Sequence, residues 1–215
     1  MESDVTRDYL VGQLQKEQAM LKRERDAAVE RARFAEDAAN RDELTGLPNR
    51  RYLITRMREL LDPPEEGSRE ESKLPLSVLF IDLRRFKQVN DEFGHQAGDE
   101  VLQAFAGILT TTLRGSDIAS HAEAELADES SGRLGGDEFL VLLPKTNAAG
   151  AQRVVERLHA AITAHEAELR GVTADIGIST MTEPGDPSTL LEEADQRMYR
   201  QKVRGGSNVD ASSKD

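Results

Sequence analysis

Residues 133–139 read RLGGDEF and run straight into the apolar stretch FLVLLP at 139–144. Two glycines, two acids and an aromatic in a row make poor core and poor helix. Adjacent glycines between apolar segments permit positive φ, so Gly135 and Gly136 suit the tip of a β-hairpin whose second arm begins near Phe139. Taken alone, this is a tight turn with Asp137 and Glu138 facing water. A second stretch changes its meaning. LSVLFIDL (76–83) is an almost continuous apolar run with Val, Phe and Ile, the pattern of a central buried strand, and Asp82 stands at its C-terminal end. An acid there costs desolvation unless something positive compensates it. If this strand lies beside the hairpin, Asp82 and Asp137 face each other, and a divalent cation resolves the repulsion between two close carboxylates. Oxygen-only ligands with phosphate nearby favour magnesium or manganese.

A third group points to the ligand of such a metal. RRFKQVNDEFGHQAGDE (84–100) places Lys87 five residues beyond Asp82, at the start of a helix. Exposed backbone N–H groups there, together with the lysine, suit phosphate. Asn90 and Asp99 bring an amide and a carboxylate able to read a base edge, and Asp99 can accept two N–H donors, as on guanine. Each residue also has a plain reading: a solvated lysine, a polar residue inside a helix, and a helix N-cap after Gly98.

The totals bound the rest. The chain has 215 residues, 38% of them apolar, enough for one domain with a packed core plus an extension. Cysteine is absent, which removes disulfides, thiolate metal sites and cysteine nucleophiles and suits a reducing cytoplasm, the expected location. No run of about 18 apolar residues exists, so no membrane insertion is expected, and the acidic, polar start MESDVTRDYL is no secretory signal. A net charge of −12 argues against a nucleic-acid polymer as partner but not against a nucleotide, whose phosphates a metal and a few cations neutralise locally.

Residues 1–40 read as a long helix. From about residue 4 they contain no proline and one glycine, Gly12, and are dense in good helix formers. Leu14, Leu21, Ala28 and Ala35 recur every seven residues beside a seam of Leu10, Glu17, Glu24, Arg31 and Ala38, so the heptad is half polar. This predicts a stalk able to pair weakly as a coiled coil; the alternative is a single solvated helix. Gly46 and Pro48 break it, and Asn49 caps a new helix to about Leu61. A polar loop (62–75) precedes the buried strand. Helices are expected at 84–93 and 97–113, a strand near 116–120 interrupted by HAEAELADESSG (121–132), and a strand at 139–144. A helix at 147–168, a strand at 172–180 and a helix at 187–204 complete the domain, and 210–215 is expected to be a disordered tail. The fold class is α+β, a mostly antiparallel sheet flanked by helices.

The blocks RDELTGLPNRR (41–51), FIDLRRFKQVNDEFGHQAGDE (80–100), GGDEF (135–139) and ADQRMYRQK (194–202) stand in the order found in the GGDEF domain family of diguanylate cyclases, which the chain resembles over about 41–209. The resemblance implies a nucleotide-cyclase or polymerase-palm-like fold and condensation of two GTP into cyclic di-GMP with release of two pyrophosphates. The active site would form across an antiparallel homodimer, with the N-terminal helix as a further dimer contact. By motif position, Asp82 and Asp137 would bind two metal ions per site with the Leu83 carbonyl. Glu138 would assist the metal or the attacking hydroxyl. Asn90 and Asp99 would bind guanine, while Lys87, Lys202 and the backbone amides of Arg85 and Phe86 would hold the triphosphate. Gly135 and Gly136 would let the hairpin backbone approach the nucleotide.

Three departures from the family pattern matter. The family usually has a second acid two residues after the Asp82 position, where this chain has Arg84. It often has Gly-Arg-Asn soon after the lysine, where this chain has Gly205 and Gly206, with Arg204 as a weak substitute. Its Arg-x-x-Asp product-inhibition motif matches Arg114 and Asp117, but residues 118–134 separate that pair from Gly135, an excess that roughly matches the acidic stretch 121–132. The alternative to an active cyclase is a catalytically inactive receptor for cyclic di-GMP or a partner protein. Such relatives usually lose the hairpin acids, which are intact here. A cyclase with another nucleotide choice and a purely structural coiled coil are the remaining readings.

Overall fold

The computed structural model describes residues 2–63, 72–114 and 130–206. The chain divides into two units, Met1–Asn40 and Arg41–Asp215. The first is a single helix, α1 (Glu2–Ala39), in which Leu21 is 56% and Phe34 77% exposed. Among the described residues no helix is long and apolar enough to cross a membrane.

The second unit is built on one sheet. Its elements run α2 (Arg50–Leu61), β1 (Leu76–Arg84), α3 (Phe86–Phe93), α4 (His95–Arg114), β2 (Ser131–Gly135), β3 (Glu138–Leu143), α5 (Ala148–Ala164), β4 (Thr173–Met181) and α6 (Pro187–Gly206). The strand order is β2-β3-β1-β4, and every pairing is antiparallel. Side chains alternate across a strand, so each face of the sheet buries its own core. Leu79, Ile81, Leu83, Phe139 and Val141 pack with Phe105, Leu109 and Leu158 from α4 and α5. Val78, Phe80, Leu140 and Leu142 pack with Leu53, Met57 and Met198 from α2 and α6. Phe105 meets the hairpin's Phe139 edge to face, with centroids 4.7 Å apart. β1 is covered on both sides, which is why it reads as an unbroken apolar run.

Glycine sets how closely α6 approaches. A Cβ on Gly177 of β4 would strike the backbone carbonyl of Ala194 and the amide of Met198. The helix therefore lies directly on the strand, low enough for its last turns to reach the end of β1. Asn49 caps α2 as expected, accepting from the Tyr52 amide.

Several boundaries differ from expectation. The helix expected from residue 84 begins at Phe86, because Arg84 still pairs with Thr173 in the ladder and Arg85 adopts a left-handed conformation (φ 69°) that turns the chain out of the sheet. Asp99 is not an N-cap, since α4 already starts at His95. α5 stops at Ala164, four residues short of the expected end, where the His165 amide closes its last turn. The strand expected near 116–120 and the tail at 210–215 lie outside the described residues. The arm that pairs with β3 is Ser131–Gly135, which takes in the last two residues of the stretch assigned to an insert. Gly132 is required there, since a Cβ would overlap the Pro48 carbonyl. A register shift between Arg133 and Gly135 bends this arm before the turn.

Candidate active site

The end of β1 and the tip of the β2–β3 hairpin bring the acids together. Asp82 pairs with Glu138 on one side and with Asp175 of β4 on the other, so these three side chains leave on one face. The Leu83 amide donates to the Asp137 carbonyl at 3.2 Å, which ties the turn to the strand end. Asp82 is 6% exposed, and its compensating charge is Lys202 of α6, whose Nζ donates to Oδ1 at 2.7 Å.

That single lysine does not neutralise the cluster. Burial, and then the Asp82 charge, push the Asp137 carboxyl above its ordinary value. Glu138 is raised by burial, then by Asp82, Asp137 and Asp195 of α6. Lys202 is held protonated above its ordinary value by its hydrogen bond to Asp82. Carboxylates that bind protons more tightly than usual around one point mark a place short of positive charge, and a divalent cation fits it. Among the described residues no three His, Asp or Glu side chains converge tightly enough to hold a metal by themselves. Asp82 and Asp137 could hold such a cation only as part of a shell that ligand oxygens would complete, as magnesium sites commonly do.

Beside the acids, α3 begins with no side-chain cap on its first-turn N–H groups, and Lys87 lies exposed in that turn. One turn later, half-buried Asn90 packs against Gly98 of α4. A Cβ on Gly98 would collide with the Asn90 amide oxygen, so this glycine seats Asn90 beside the turn that carries exposed Asp99. The structure thus gathers Asp82, Asp137, Glu138 and Lys202 at one point and sets Lys87, Asn90 and Asp99 on the adjoining helices. Arg114 is the last residue of α4, and Asp117 lies outside the described residues.

Residues beyond the motif acids hold this arrangement. Arg133 donates from Nε and Nη2 to the Gly136 carbonyl at 2.9 and 2.8 Å, and from Nη1 to the Asp42 carboxylate at 3.2 and 3.3 Å. Burial alone would raise the Asp42 carboxyl, but the Thr45 hydroxyl and amide and the Arg133 guanidinium outweigh it and hold it low. The turn of the 41–51 block is thereby bolted to the hairpin tip. Arg84 makes a two-point pair with Asp175, Nη2 to Oδ1 at 2.6 Å and Nε to Oδ2 at 3.0 Å. Neither pairing is visible at the level of motif spacing, because the partners are 91 residues apart in each case.

A carboxylate cluster at the end of the central strand, faced by a hairpin turn in a four-stranded antiparallel sheet with flanking helices, is the architecture of GGDEF domains. The family described as "Diguanylate cyclase, GGDEF domain" matches residues 39–208, and the chain belongs to that family. The response regulator PleD of Caulobacter vibrioides is 37% identical over 175 residues, covering 78% of this chain and 35% of PleD. The diguanylate cyclase DgcP of Pseudomonas aeruginosa is 35% identical over 175 residues, covering 80% of this chain and 24% of DgcP. The chain spans about a third or less of the length of these curated relatives. Among solved structures, the coiled coil and GGDEF domain of DgcB from Caulobacter crescentus, in complex with c-di-GMP, has the same fold. Its TM-score is 0.70 at 22% identity, covering 90% of this chain and 95% of that one. Diguanylate cyclase SiaD of Pseudomonas aeruginosa, solved with its activator SiaC, superposes with a TM-score of 0.61 at 28% identity, over 94% of this chain and 77% of that one.

Proposed function

We propose that this chain is a diguanylate cyclase that condenses two GTP into cyclic di-GMP in the cytoplasm, where its substrate is made. The observation that carries the reading is the meeting of Asp82, Asp137 and Glu138 at the end of β1, with Lys202 already seated on Asp82. The motif acids that inactive relatives lose are present in the sequence and adjacent in space.

Two domains face each other antiparallel, each holding one GTP. The 3′-hydroxyl of each nucleotide attacks the other's α-phosphate, the new phosphodiester bond forms, and pyrophosphate leaves with the electrons of the broken bond. Asn90 and Asp99 hold guanine. Lys87, Lys202 and the amides of Arg85 and Phe86 hold the triphosphate, and the bare backbone at Gly135 and Gly136 lets the hairpin approach it. Asp82, Asp137 and the Leu83 carbonyl would hold two magnesium or manganese ions, which when bound offset phosphate charge and acidify the hydroxyl. Glu138, the cross-strand neighbour of Asp82, would assist the metal or the attacking hydroxyl. Because the site is split between two chains, pairing through α1 governs turnover.

Product chromatography after incubation with GTP, ATP and their mixture tests this reading. Cyclic di-GMP from GTP alone supports it. A mixed cyclic dinucleotide would contradict the guanine assignment of Asp99, and tight cyclic di-GMP binding with no product would favour the receptor.

A further inference from the structure

The geometry points to Arg84, clamped by Asp175, as a triphosphate-gripping cation that stands in for an arginine at position 206, where this chain has glycine. The inference rests on the cyclase reading. Arg84 is two residues after Asp82 on β1, so its side chain leaves on the same face, beneath α6. Asp175 is the cross-strand partner of Asp82. The pairs Lys202–Asp82 and Arg84–Asp175 therefore stand side by side, two cations and two carboxylates in one patch.

On α6 the residue one turn after Lys202 on the same face is Gly206, which offers no side chain. Lys202, one turn before that end, reaches Asp82 of β1, two residues before Arg84. The cation absent at position 206 is supplied by the sheet. The pairing with Asp175 accounts for the geometry but not for the whole guanidinium. A guanidinium carries five N–H donors, and Asp175 accepts only one from Nε and one from Nη2. Among the described residues no other acceptor is recorded for Arg84, and its side chain stays 28% exposed. It also lines, with Asp175, His159, Thr163, Thr173 and Gln201, an open cleft of about 400 Å³ at the β4 edge of the sheet, so the guanidinium is open to solvent. Asp175, 9% exposed, fixes two points of the planar fork and removes most of the rotamer freedom that a free arginine would lose on binding.

The test is calorimetric titration of the full chain with 3′-deoxy-GTP, which lacks the attacking hydroxyl, and with 3′-deoxy-GMP, which lacks the outer phosphates. Arg84→Gln is expected to weaken 3′-deoxy-GTP about 10- to 100-fold, as loss of a charge-assisted contact does, and to change 3′-deoxy-GMP by about twofold or less. Adding Gly206→Arg to Arg84→Gln should recover most of the lost affinity. Arg84→Lys, which keeps the charge and loses the fork, should fall between and serves if the glutamine variant does not fold. Unchanged 3′-deoxy-GTP binding in Arg84→Gln, or equal losses for both ligands, would overturn the assignment and leave the cyclase reading intact. Wild-type chain that binds 3′-deoxy-GTP through Arg84 yet makes no cyclic product from GTP would overturn the cyclase reading and leave Arg84's role in force.

Discussion

Asp82 is a buried charge whose partner is a long, half-exposed lysine, and the two have different work to do. Lys202 neutralises Asp82 in the structure, and under the proposed function it would turn to a phosphate once a cation sits on Asp82. Lys202→Met should therefore destabilise the domain by about 1–3 kcal/mol, by leaving a buried carboxylate unpaired, and should be read by urea denaturation. Asp137 behaves oppositely. Its carboxyl is raised by burial and by Asp82, so the folded chain binds that proton more tightly than the unfolded one. The contribution favours folding at low pH and is lost as pH rises through the raised value. Asp137→Asn should consequently raise the melting temperature of the metal-free chain at pH 7, and the gain should shrink as the buffer is acidified through the carboxylate range. The same substitution should abolish turnover. Asp82, Asp137 and Glu138 were legible in the sequence because motif acids at strand ends have no packing reason to be there. Arg84 was legible only as a misfit. Its partner Asp175 sits in a strand of ordinary alternation, and only the register of β1 against β4 reveals it.

At the scale of elements, two contacts position the site without touching the reacting atoms. Gly98 seats Asn90, and the atom that an added Cβ would displace is the end of a flexible side chain. Gly98→Ala should thus cost little stability, about 1 kcal/mol or less, since alanine also favours the helix. It should still weaken GTP binding about tenfold or more by moving the amide. The Asp42–Arg133 clamp joins the turn before α2 to the hairpin carbonyl of Gly136. Asp42→Ala leaves a guanidinium only 13% exposed without its carboxylate and should cost about 1–3 kcal/mol, with a matching loss of activity. The strands and helices with regular apolar periods were readable from sequence within a few residues. β2 was not. Ser131 and Gly132 look like loop by composition, and their strand geometry comes from pairing with Val141 and Leu140 and from close approach of Pro48. Arg85 in a left-handed conformation was equally hidden, since nothing local marks a non-glycine for positive φ.

For the whole molecule, the division into a helix and a domain with its own two-sided core predicts separable roles. Removing residues 1–40 should leave the melting of the remaining domain nearly unchanged. It should also make turnover fall steeply on dilution, as a site shared by two chains requires, with recovery at high protein concentration. The long helix was legible in the sequence, and of its exposed apolar residues Met20, Leu21, Val29 and Phe34 only Leu21 lies on the heptad seams. The measurement that tests the central claim most directly is product formation from GTP and magnesium by the intact chain and by Asp137→Ala, followed by chromatography. The account predicts cyclic di-GMP from the first and none from the second. Cyclic di-GMP at equal rates from both, or none from the intact chain at high protein concentration, would contradict it.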